Sequence, residues 1–139
     1  MLKRIIAVLL MLVVAAAAAA ADYQYVGTET FKEWQEQGKS TVIVDIQVPN
    51  GFAKHHFKGA LETNAYPVKS DEERQRLNTT LAQINASTDD VVIVCPRGGG
   101  GAKSTYDYLK EKGIEENRLF ILEKGMEGWP HPEMYITGR

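Results

Sequence analysis

Four consecutive β-branched residues, Val91-Val-Ile-Val94, run directly into Cys95-Pro-Arg-Gly-Gly-Gly-Gly-Ala102, and this junction restricts the fold more than any other part of the chain. A continuous β-branched run suits a strand covered on both faces, as in a parallel sheet with helices on either side. Glycine has no side chain to pack, and four in succession cost backbone entropy, so their use is close approach of the backbone. Beyond them Ala102, Thr105, Tyr106 and Leu109 recur at helical spacing, which predicts a helix over 102–112 stopped at Gly113. Cys95 is therefore expected at the carboxyl end of a buried strand, where sheets of this class bind ligands.

The flanking segments follow the same alternation. Phe31 and Trp34 among charged and amide residues suit a short amphipathic helix ending at Gly38, and Thr41-Val-Ile-Val-Asp45 reads as a buried strand. Leu77, Leu81 and Ile84, with acids near Asp71, predict one helix over 71–84. Leu119-Phe-Ile-Leu122 supplies a further strand. Strands alternating with helices at these lengths predict an α/β fold, a parallel sheet with helices on its faces.

The first 21 of the 139 residues do not fit that domain. Lys3 and Arg4 precede the apolar run Ile5 to Val14, and seven alanines reach Ala21 before the composition turns polar at Asp22. The pattern is that of a secretory signal peptide cut near Ala21; a retained membrane anchor is the competing reading. Cleavage predicts a periplasmic or secreted product without a membrane anchor, spanning 22–139 as one domain. No repeat or Pro/Ser-rich linker divides it. A formal charge of −2 leaves no basic surplus for nucleic acid. In an oxidising compartment the single Cys95 is a free reactive thiol, an intermolecular link or a buried inert residue.

A glycine loop entering a helix N-terminus can turn several N–H groups inward as an anion nest, and the helix dipole adds to it. Such donors favour a thiolate at Cys95. Arg97 is the only positive side chain within the loop. A nucleotide-binding loop, G-x-x-x-x-G-K-[ST], is excluded because Arg97 and Ala102 occupy its glycine positions ahead of Lys103-Ser104. A cysteine phosphatase with arginine six residues after the nucleophile is excluded because that residue is Gly101. A cysteine cradled by backbone donors remains, suited to holding a persulfide.

At this point the sequence resembles the single-domain rhodanese-like sulfurtransferases. Val42-Ile-Val-Asp45-Ile46 is similar to the strand ending in that family's Asp-Val-Arg. His55-His56-Phe57-Lys58-Gly59-Ala60 is similar to its Gly-His-Ile-x-Gly-Ala, and Leu122 to Trp129 to its Leu-x-Gly-Gly-x-x-x-Trp. The resemblance implies that Cys95 is the catalytic nucleophile, with Arg97, Gly98, Gly99, Gly100 and Gly101 forming the substrate cradle. It also implies a thiosulfate- or persulfide-type donor and a thiol, protein or cyanide acceptor. The chain departs from the family at Gln47, where an arginine is usual, and at Gly100 and Gly101, where a basic or hydroxylated residue is common. A carrier or binding module that presents sulfur or a related chalcogen is the alternative from another class.

Among the remaining candidates, His56 is expected to make a structural hydrogen bond, and His55 and His131 to be exposed. Asp45 is expected to satisfy backbone donors, and Trp34 and Trp129 to lie in the core or at its rim. The histidines have no metal-ligand spacing with Cys95, so no metal is expected, nor a cofactor. A monomer is expected.

Overall fold

The computed structural model describes residues 22–139; the expected signal segment and its cleavage point at Ala21 lie outside the described residues. Five strands form one sheet: β1 (Tyr25–Val26), β2 (Thr41–Asp45), β3 (Leu61–Glu62), β4 (Asp90–Val94) and β5 (Leu119–Leu122), in the order β1-β5-β4-β2-β3. Every pairing is parallel. β4 is central, with Val42 opposite Val91 and Asp45 opposite Val94 on one side, and Ile93 opposite Ile121 on the other. All four of its β-branched residues are fully buried, as a strand covered on both faces requires.

Alternation along the strands divides the core in two. Val42, Val44, Val91, Ile93 and Ile121 face a cluster completed by Leu77, Ile84, Tyr106 and Leu109 from the helical segments after β3 and β4. Ile43, Val92, Val94 and Leu122 face Phe31, Phe57, Met126 and Trp129. The rings of Phe31, Phe57 and Trp129 meet edge-to-face at centroid distances of 5.2, 5.9 and 4.9 Å, a favoured aromatic geometry. Trp129 is thus a core residue.

Helix α1 (Thr28–Glu36) buries Phe31, and α2 (Pro49–Lys54) starts with proline in its first turn, where a missing N–H costs no intrahelical bond. The expected single helix over 71–84 is broken. It consists of α3 (Asp71–Gln75), a 3₁₀ turn (Arg76–Thr80) and α4 (Leu81–Asn85). Its start is a reciprocal cap: Glu73 N–H donates to Ser70 Oγ and Ser70 N–H to Glu73 Oε1, both at 3.1 Å. Its break has a local cause. Thr79 and Thr80 hydroxyls donate to the carbonyls three residues back, Arg76 at 3.1 Å and Leu77 at 2.7 Å, and these bonds favour the tighter turn.

Helix α5 spans Gly100–Glu111, beginning two residues before the expected start at Ala102. The C-terminal segment runs back across α2. His56 and Ile136 exchange backbone bonds of 3.0 and 2.7 Å, Gly138 N–H donates to Ala53 O at 2.7 Å, and Arg139 pairs with Glu62 at 3.2 Å. Among the described residues no helix is long and apolar enough to cross a membrane.

Candidate active site

The strand-to-helix connection after β4 contains a single thiol. Ile46 N–H donates to Val94 O at 2.9 Å, extending the β2–β4 pairing to the last strand residue, so Cys95 leaves the sheet from a fixed position. Its residue is only 1 % exposed, on the face shared with Ile46, Ala65 and Ala102. The chain then turns back on itself. Gly98 N–H donates to Cys95 Sγ at 2.7 Å, a backbone donor aimed at the sulfur.

Two glycines of the run 98–101 are required by close approach. Gly98 has φ +74°, and a Cβ there would lie 3.0 Å from Lys124 N and 3.1 Å from Leu122 O. Gly101 is buried, and a Cβ there would press on Ile46 Cδ1 and the Tyr66 ring at 3.1 Å. This corrects the expectation that packing has no part in the glycine run: Gly101 admits its neighbours. A Cβ at Gly99 or Gly100 would meet nothing within 4 Å.

Gly100 and Gly101 lie in the first turn of α5 and not in the loop proper. Lys103 N–H makes the bond to Gly99 O at 3.1 Å, so the amides of Gly100, Gly101 and Ala102 precede the helix's ladder, at the positive end of its dipole. No acidic residue occupies that turn to compete for them. The available anion-binding groups are thus the Gly98 amide, which bonds the sulfur, and the start of α5, which follows two residues later in the chain.

The loop rests on a turn after β5. Lys124 and Gly125 have φ of +64° and +61°, and Gly125 lies against the loop backbone. A Cβ on Gly125 would come within 2.3 Å of Cys95 O, 2.6 Å of Arg97 N and 2.7 Å of Gly98 N. From the same turn Met126 N–H donates to Cys95 O and Glu127 N–H to Pro96 O, both at 2.8 Å. The turn therefore sets the height of the cysteine. Gly125 belongs to the Leu122–Trp129 stretch that carries the family resemblance, but its spacing alone did not reveal that it supports the loop.

Arg97 faces outward with 81 % of its side chain exposed, and its Nε is 3.4 Å from Glu127 Oε1. The structure joins Arg97 to the loop rim through that carboxylate; nothing in the sequence pattern singled Glu127 out. Asp45, one residue before the end of the extended β2 pairing, is fully buried. Its Oδ1 accepts from Gln47 N–H at 2.8 Å and its Oδ2 from Gln47 Nε2 at 2.9 Å, while Gln47 Nε2 also donates to His55 O at 3.0 Å. Burial pushes the Asp45 carboxyl up to about 6, against the opposing pull of the two Gln47 bonds. Gln47 thus caps a buried acid at the position where the family's arginine is usual.

His56 is buried, stacks on Phe52 at a centroid distance of 4.0 Å and bonds through Nδ1 to Phe52 O at 3.0 Å, a structural role. His55 is exposed and stacks on Tyr135. His131, expected to be exposed, is half-buried because its Nε2 meets Glu29 at 2.6 Å and its ring lies against Trp129. Two surface cavities of about 450 and 480 Å³ lie on other parts of the molecule, lined by residues such as Asp71 and Asp107 or Lys39 and Met134, and neither includes Cys95.

Comparison with known proteins places this geometry. The Rhodanese-like domain profile matches residues 28–131, from the start of α1 through the turn that supports the loop. A rhodanese-like domain protein from Staphylococcus aureus superposes with a TM-score of 0.59 at 22 % identity, covering 84 % of this chain and 99 % of that one. Thiosulfate sulfurtransferase from Pseudomonas aeruginosa gives 0.63 at 17 %, with 84 % of this chain matching 20 % of the other. Reduced Bacillus anthracis CoADR-RHD gives 0.57 at 21 %, over 82 % of this chain and 18 % of that one. The chain therefore spans only about a fifth of the length of the last two. At these identities the superpositions show a shared fold, and with the profile covering most of the chain, this protein belongs to the rhodanese-like domain family.

Proposed function

We propose that the chain is a sulfurtransferase that carries sulfane sulfur as a persulfide on Cys95. The observation that carries this reading is the Gly98 amide aimed at Cys95 Sγ beside the N-terminus of α5. The Cys95 thiolate attacks the outer sulfur of a donor, forming a new S–S bond as the donor's own S–S bond breaks. The electron pair leaves with the donor remnant, sulfite from thiosulfate or a thiolate from a persulfide. The charge now resides on the outer sulfur, one bond further out, where the amides of Gly98 to Gly101 and the helix dipole stabilise it. An acceptor thiolate or cyanide then attacks that outer sulfur, and the electron pair of the breaking bond returns to Cys95 Sγ. No cofactor enters either half.

The donor is a small sulfur-containing anion or a persulfide, met by Arg97 at the rim. The chain acts outside the cytoplasm as a monomer, after cleavage near Ala21.

Near-complete burial of Cys95 favours a second reading, in which the domain holds the sulfur for a partner and turns over slowly. One experiment separates the two. Protein incubated with thiosulfate or an alkyl persulfide should gain the mass of one sulfur on Cys95, and Cys95→Ser should gain none. Repeated discharge by cyanide at catalytic protein concentration supports the transferase; loading without repeated discharge supports the carrier. Loading that survives Cys95→Ser overturns both.

A further inference from the structure

Glu127 is fixed to the active loop twice. Its backbone N–H holds Pro96 O at 2.8 Å, so its Cα keeps a constant position relative to Cys95, and its carboxylate reaches Arg97 Nε at 3.4 Å. Arg97 is the only cation in the segment between Cys95 and α5. The single positive side chain of the rim is therefore already paired with an anion that belongs to the loop's own support. The exposed Tyr66 ring lies against Gly101 in the first turn of α5, contributing an apolar edge.

From this arrangement we propose that Glu127 is a specificity-determining residue that disfavours doubly charged oxyanion donors and favours uncharged or singly charged persulfides. The inference rests on the sulfur-transfer reading and adds the donor class. A dianion such as thiosulfate has to draw Arg97 away from Glu127 before the guanidinium can meet its oxygens. An uncharged alkyl persulfide makes no such demand on Arg97, and its alkyl group can lie along Tyr66. The transfer step is the same for both: thiosulfate leaves as sulfite, and the alkyl persulfide leaves as a thiol, carrying the proton of its outer sulfur. Discrimination is thus in donor binding, before any bond changes. Glu127 acts through Arg97 and touches neither reacting sulfur.

The test compares Glu127→Gln with the parent protein, using thiosulfate and 2-hydroxyethyl persulfide as donors and cyanide as acceptor. Gln keeps the backbone bond to Pro96, so the support of the loop is preserved. The ratio of kcat/KM for thiosulfate to that for the persulfide should rise about fivefold, about 1 kcal/mol at about 1.4 kcal/mol per tenfold, the upper end for an exposed pair. The change should fall on KM for thiosulfate and not on kcat. It should shrink as salt is raised toward about 1 M, where the screening length falls to about 3 Å. In an Arg97→Ala background the same substitution should change the ratio less than twofold. An unchanged ratio, an equal change with both donors, or a full effect without Arg97 overturns the proposal while sulfur loading of the parent stands. A parent protein that gains no sulfur from either donor defeats the sulfur-transfer reading, and this inference with it.

Discussion

Replacing Gly125 with alanine tests whether the turn after β5 positions the cysteine loop. Alanine at φ +61° adopts the left-handed conformation at a cost of about 1 to 2 kcal/mol. Its Cβ cannot stay 2.3 Å from Cys95 O, so the turn and loop must separate. Separation gives up the Met126–Cys95 and Glu127–Pro96 backbone bonds, worth about 1 kcal/mol each. The loss should total about 3 kcal/mol. Gly38→Ala is the control: its φ is +72°, yet a Cβ there meets nothing within 4 Å, so it carries the conformational cost alone. Urea unfolding of the two variants against the parent measures the difference. Sulfur loading of Cys95 should slow in Gly125→Ala and stay unaltered in Gly38→Ala. Equal destabilisation by the two variants, with normal loading in both, would refute the claim that the turn sets the height of the loop.

Arg97→Ala should lower kcat/KM for thiosulfate about tenfold, near 1.4 kcal/mol and the low end for a charged hydrogen bond because the guanidinium is exposed, with a smaller loss for 2-hydroxyethyl persulfide; equal losses in steady-state assays would assign Arg97 to loop structure. Asp45, raised from its ordinary 3.8 to about 6, contributes stability that is fully present below 3.8 and is lost as pH rises through about 6, roughly 3 kcal/mol in all. Urea titrations at about pH 4 and pH 7 should show a fall from this group that Asp45→Asn removes; an unaltered pH dependence in the variant would contradict it. Glu73 and Glu116, held below their ordinary range by hydrogen bonds, act in the opposite sense, so only the difference between parent and variant isolates Asp45. N-terminal sequencing of protein recovered from its own cells should find a start near Asp22, and an intact Met1 in the membrane fraction would rule out cleavage.

The central strand was legible because its signal is redundant: four β-branched residues, then a thiol, then glycines that no helix or strand interior favours. β1 and β3 were not, since two residues carry no periodicity and each exists only because a longer neighbour offers it a pairing edge. The helix over 71–84 had the right apolar spacing, and Leu77 and Ile84 do face the core; the threonine hydroxyls that tighten its middle act on geometry that spacing does not encode. At the site, Cys95 and Arg97 could be named because thiols and guanidinium groups are chemically distinctive. The glycine run before a helix pointed to an anion cradle by itself, and the family resemblance added the reaction and the donor. Glu127 could not be found that way, because a carboxylate thirty positions from Arg97 becomes its neighbour only once the β5 turn has docked.

The strand order also governs when the molecule can be finished. Tyr25, almost the first described residue, pairs with Ile121, and the segment that supports the cysteine loop follows directly after β5. A chain emerging in order from a ribosome or a translocation pore can join β2 to β4 early, yet its leading edge stays open until the far end arrives. Closing contacts of such long separation is slow, because the entropy of the intervening chain is lost before the pairing is gained. The nascent thiol thus has no completed cradle during synthesis, and the loop around Cys95 gains its support in one late event together with the closed sheet.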